Sequence, residues 1–146
     1  MKKSIKVLLK KADSDLKDAK ILYNNNESST EGICFHCQQA IEKYLKCYLI
    51  YNNNKIKKTH NISELLGCCK KIDKSFNNLE KLNIDDMTNY AVVIRYTDDI
   101  ELDKEDAKEA ILITEKVKLF IIEKFNNKEN CKNKLNISSD IMPHNR

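Results

Sequence analysis

The sequence predicts an all-α fold, an antiparallel up-and-down bundle of four to five helices, and three observations carry that prediction. Apolar residues recur at three- and four-residue spacing along most of the chain, which marks one buried face per helix. Two glycines and one proline are too few for the many turns of a sandwich or barrel. Charged residues make up 33% of the chain, and acids interleave with bases almost everywhere, as on solvated helical faces. With 146 residues the chain suits one domain, large enough to bury about two-thirds of the surface its unfolded form exposes.

The first helix is predicted over about 4–23, where Ile5, Leu8, Leu9, Ala12, Leu16, Ala19 and Leu22 form one stripe and Asn24-Asn25-Asn26 stops it. The second runs to about Tyr51. It opens at Ser28 and Glu31, a spacing that allows a capping box. Its many apolar positions, from Ile33 to Leu49, mark it as the central helix, and Asn52-Asn53-Asn54 ends it. A third helix follows Thr59-His60, with Asn61 and Glu64 at cap spacing and Ile62, Leu65, Leu66, Cys69 and Ile72 as its stripe. Leu79 and Leu82 suggest a short lead-in turn to a fourth helix over about 83–96. The fifth opens at Asp103 and reaches about Phe125, with Ala107, Ala110, Ile111, Thr114, Val117, Phe120 and Ile121 on one face. Residues 127–146 are polar, lack a sustained stripe and are expected to be a flexible tail beyond a bundle of residues 1–126.

The net charge of +4 is mild and unclustered, so charge alone does not argue for tight nucleic-acid binding. The lysines of the first helix, with Lys55, Lys57 and Lys58, read as a solvated face. No run approaches the roughly 18 consecutive apolar residues of a membrane span. Met1-Lys2-Lys3-Ser4 opens like a secretory signal, but Lys10 and Lys11 break the apolar run behind it, so a cytoplasmic location is expected. There the six cysteines should be free thiols, most of them acting as small hydrophobes on helical faces. Cys34 and Cys37 lie within a helix and Cys68-Cys69 lacks ligand spacing, so no metal site is expected. No phosphate loop, dinucleotide fingerprint or nucleophile elbow can be built from Gly32 and Gly67 alone, and no cofactor is expected.

The most informative stretch is Phe35-His36-Cys37-Gln38-Gln39-Ala40-Ile41-Glu42-Lys43-Tyr44-Leu45-Lys46. Together with Asp15-Leu16 and Asp18-Ala19, with Thr59-His60-Asn61-Ile62, and with Arg95-Tyr96-Thr97-Asp98, it resembles the HEPN domain family over about residues 4–125. The resemblance implies a helical bundle, often a homodimer, with roles around nucleotides or RNA. Family members include ribonuclease toxins, nucleotide-binding modules, and partners of minimal nucleotidyltransferases in toxin–antitoxin pairs.

The ribonuclease members carry an arginine followed, after four to six intervening residues, by a histidine. The histidine serves as general acid or base and the arginine stabilises charge on the phosphate. Here Ile100, Glu101 and Leu102 stand where that histidine would be, and the next one is His144. Enzymatic activity, and RNA as a substrate, are therefore not favoured. The leading expectation is a non-catalytic module that binds a nucleotide, partners a nucleotidyltransferase, or does both. A ribonuclease toxin and a plain protein-interaction bundle are the alternatives.

The candidate ligand-binding residues are Arg95, Tyr96, Gln38, Gln39, Glu42, Lys43 and His60. Arg95 is suited to grip a phosphate bidentately, or else it pairs with Asp98, Asp99 or a carboxylate of the second helix. Gln38 and Glu42 share one helical face and Gln39 and Lys43 the next, set to meet either a base edge and ribose or neighbouring polar groups. His60, just before a helix start, is placed to bond a nearby carbonyl or carboxylate, or to serve a ligand. His36 is assigned no role.

Overall fold

The computed structural model describes residues 1–55, 58–84 and 102–141, with side chains through residue 135. Helices α1 (Lys3–Tyr23), α2 (Thr30–Tyr51) and α3 (Ile62–Ile72) lead into a 3-10 turn (Lys74–Phe76) and a short α4 (Asn77–Glu80). The long α5 (Lys104–Ile141) follows, and the described residues contain no strand. The chain is an all-α helical bundle. The fourth predicted helix lies, from residue 85 onward, outside the described residues.

The caps show why the helices start and stop where they do. Ser29, one residue later than the predicted capping box, is the N-cap of α2, and its Oγ accepts the Gly32 N–H at 3.0 Å. A Cβ at Gly32 would lie 3.0 Å from the same oxygen, a tight contact that the glycine avoids. Asn61 caps α3 as its spacing predicts, accepting the Glu64 N–H at 3.2 Å. Asp103 and Asp106 cap α5 reciprocally, each side chain accepting the other's N–H, at 3.0 and 2.9 Å. The end of α2 closes as a Schellman turn, in which Asn54 N–H reaches the Leu49 carbonyl and Asn53 N–H that of Ile50, both at 3.0 Å. Asn53 takes the left-handed conformation this requires, with φ 62°, which asparagine tolerates better than most residues.

The centre of the core is α2, as its composition predicts. Ile41, Tyr44, Leu45 and Leu49 are among its buried side chains, against Ile5, Ala12, Leu16 and Ala19 of α1, Leu65 and Leu66 of α3, and Val117 and Ile121 of α5. The helix α1 runs antiparallel to α2, with Cys47 Sγ near the Ile5 carbonyl and Tyr44 bonded to Asp13. It is also antiparallel to α5, where Lys104 stands over the Tyr23 ring and Lys118 pairs with Asp13 at 3.1 Å. Asp13 thus ties three helices together. Burial, and then the bond to Asp13, push the Tyr44 hydroxyl well above the usual phenol range.

The last helix differs from its expected end near Phe125 and continues to Ile141. A stripe is needed only where a helix packs on a core. Beyond Phe125 no glycine or proline interrupts the backbone ladder before Pro143. The extension is also tied to the end of α2, since Tyr51 donates to Glu129 and Lys128 donates to Asn52 Oδ1 at 2.7 Å. No helix among the described residues is long and apolar enough to cross a membrane.

Candidate functional site: a lysine-ringed pocket between the first two helices

His60, beyond α2 in the chain, lies at the level of Glu42 and closes one side of a cavity of about 650 Å3 between α1 and α2. The volume is in the range that small-molecule ligands fill, about 300–1,000 Å3. From α1 it is lined by Lys3, Ser4, Val7, Leu8 and Lys11, which fall on one helical face at three- and four-residue spacing. From α2 it is lined by Gln39, Glu42, Lys43, Lys46 and Ile50, on the same spacing, and His60 completes the wall.

The electrostatics are uneven. Four lysines surround a single lining carboxylate, that of Glu42, whose side chain is only 4% exposed. Glu42 Oε1 accepts from Lys46 Nζ at 2.8 Å and lies 2.7 Å from His60 Nδ1. Glu42 Oε2 is buried and has no hydrogen-bond partner among the described residues. Lys43 is tied to Asp15, which also meets His36 Nδ1 at 3.2 Å. Lys3 and Lys11 are exposed and make no ion pair among the described residues.

The structure brings together Gln39, Glu42, Lys43 and His60 from the residues singled out in the sequence. Gln38 does not join them. It is buried, its Oε1 has no partner among the described residues, and it lines no part of this cavity. Arg95 and Tyr96 lie outside the described residues. The sequence reading missed the residues of α1 and, on α2, Lys46 and Ile50. Two signals were there: Val7 stands off the α1 stripe, and Lys46 falls four residues beyond Glu42.

The buried cysteines are poor ligands or nucleophiles as they stand. Burial pushes the thiols of Cys34 and Cys47 up to about 12 and that of Cys37 to about 11, so none is a thiolate near neutral pH. Asp15, Asp18 and His36 form a cluster compact enough for a cation, but Asp15 is already engaged by the Lys43 ammonium.

Residues 5–125 match the family model described as HEPN domain. No curated protein and no solved structure matches the chain.

Proposed function

The chain belongs to the HEPN family, and on that premise we propose that it is a non-catalytic module that binds a nucleotide between α1 and α2. The observation that carries this reading is the composition of the pocket wall. Val7, Leu8 and Ile50 offer an apolar surface, and Lys3 and Lys11 offer positive charge that no ion pair among the described residues takes up. A nucleotide answers both, with a flat base and an anionic phosphate chain. Inorganic phosphate would leave the apolar wall unused, and a fatty acid would bury hydrocarbon against a carboxylate, which is costly. The absence of a histidine between Arg95 and His144 supports binding without cleavage. A module that holds a nucleotide intact is suited to work beside a nucleotidyltransferase-type partner, as the family resemblance implies.

Isothermal titration with ATP, GTP, CTP and UTP tests the reading. At least one is expected to bind, with affinity that falls as salt rises because lysine–phosphate attraction is screened. The pair of changes Lys3→Glu and Lys11→Glu removes no ion pair seen among the described residues and is expected to weaken binding about tenfold or more, a difference of ~1.4 kcal/mol. No binding by any of the four, or equal binding by the charge-reversed protein, would overturn it.

A further inference from the structure

The open charge of the pocket is divided between two places. Of its four lysines, Lys43 is held by Asp15 and Lys46 by Glu42. Lys3 and Lys11 are exposed, with no ion pair among the described residues. They stand eight positions apart on α1, which is about 12 Å along the axis at a rise of about 1.5 Å per residue. Val7 is midway between them in the chain, and with Leu8 it makes the intervening wall apolar.

The opposite wall has the same division. Because α2 is antiparallel to α1, with Cys47 near Ile5 and Lys43 tied to Asp15, Ile50 falls toward the Lys3 end and Gln39 toward the Lys11 end. A neutral donor accompanies each open lysine: the Ser4 hydroxyl beside Lys3, and the Gln39 amide toward Lys11. Ammonium, hydroxyl and amide groups are the side-chain donors that phosphate oxygens accept from. A ligand charged at one end leaves one of these sets idle. A ligand with its phosphates in the middle, such as two nucleosides joined through pyrophosphate, would set its charge against Val7 and Leu8 and away from the lysines. Charge at both ends, with a flat and less polar body between, fits the whole wall.

We propose that the ligand of this pocket is a nucleoside phosphorylated on both sides of its ribose, at the 5′ and the 3′ positions, with one phosphate group at Lys3 and the other at Lys11. The proposal rests on the nucleotide reading above and deepens it. Lysine stems are long and flexible, so each ammonium leans inward to its phosphate while its methylene groups lie along the apolar wall.

The test takes the base of the triphosphate that binds tightest in the panel. The 3′,5′-bisphosphate of that nucleoside is compared by isothermal titration with its 5′-monophosphate, its 3′-monophosphate and its 5′-diphosphate. The 5′-diphosphate carries comparable charge, but at one end only. The bisphosphate is expected to bind at least about tenfold more tightly than any of the three. Lys3→Gln and Lys11→Gln then divide the effect. In each variant the bisphosphate should fall to the level of one monophosphate, and to a different one in each. A 5′-diphosphate that binds as tightly as the bisphosphate would overturn the proposal and leave the nucleotide reading intact. So would two variants that lose the same phosphate. Tighter binding of the trinucleotide of that base would also overturn it, in favour of a strand passing through the pocket. Failure of all four triphosphates to bind would overturn both readings. Both lysines are exposed, so neither change opens the core. If far-ultraviolet circular dichroism shows a variant unfolded, the comparison of ligands on the natural protein decides the matter by itself.

Discussion

At the scale of single residues, the charged groups of this protein differ sharply in what surrounds them. Glu42 is buried and half-satisfied, whereas Asp73 is partly exposed and fully engaged. Asp73 Oδ2 meets Lys124 Nζ at 2.8 Å, and Asp73 Oδ1 accepts the Ser75 N–H at 2.9 Å. The Lys124 ammonium, outweighing a small desolvation cost, lowers the Asp73 carboxyl to about 2. A carboxyl held low in the folded state stabilises it above the unfolded range, near about pH 4, and the contribution is lost as pH falls through about 2. The stability difference between the natural protein and Asp73→Asn should therefore be steady at neutral pH and shrink between about pH 4 and pH 2. Urea unfolding across that interval measures it, and a difference independent of pH would show that the ion pair contributes nothing.

At the scale of elements, side-chain caps decide where the helices begin. Ser29 supplies an acceptor to an α2 amide that the helix cannot satisfy internally. Ser29→Ala should cost about 1 kcal/mol, since alanine offers no oxygen to the Gly32 N–H. Chemical denaturation of the variant is the check, and an unchanged midpoint would mean that water replaces the cap without loss. The sequence showed that a cap stood near residue 28 but not which serine serves, because Ser28 and Ser29 are chemically alike. The end of α2 was more legible, since a run of asparagines supplies the left-handed residue that a helix end needs. The last helix was less so. Its final turns carry no stripe, and only the tertiary contacts of Tyr51 and Asn52 reveal what Glu129 and Lys128 do.

At the scale of the whole molecule, Phe76 joins parts that are distant in sequence. Its ring is fully buried in the turn after α3, 4.5 Å from the Tyr48 ring of α2 and 4.9 Å from the Phe120 ring of α5. Phe76→Ala would leave a cavity where three elements meet and should cost about 3–5 kcal/mol, a large part of a typical domain's total stability. Thermal unfolding tests this, and a loss below about 1 kcal/mol would mean that the turn collapses to refill the space. The pocket lies on another side of α2, among Lys3, Lys11, Glu42 and His60. The core and the pocket therefore share a helix but not a face, so residues of the pocket can change without opening the aromatic cluster.

The helical class, the central place of α2 and the family are legible in the order of residues alone. These follow from local periodicity, from a scarcity of turn residues, and from a short motif read in order. The sequence also marked Gln38, Gln39, Glu42 and Lys43, as polar residues amid an apolar helix, and with them His60, Arg95 and Tyr96. Only the tertiary structure decided what the α2 residues and His60 meet. The lysines of α1 look like any solvated face until α2 is laid antiparallel beside them, and Lys3 and Lys11 then become part of a cavity wall. Gln38 and Gln39 are adjacent in the chain, yet a helix turns about 100° per residue, which puts one in the core and the other in the pocket. Periodicity specifies which residues share a face, but the identity of the facing surface is a property of packing.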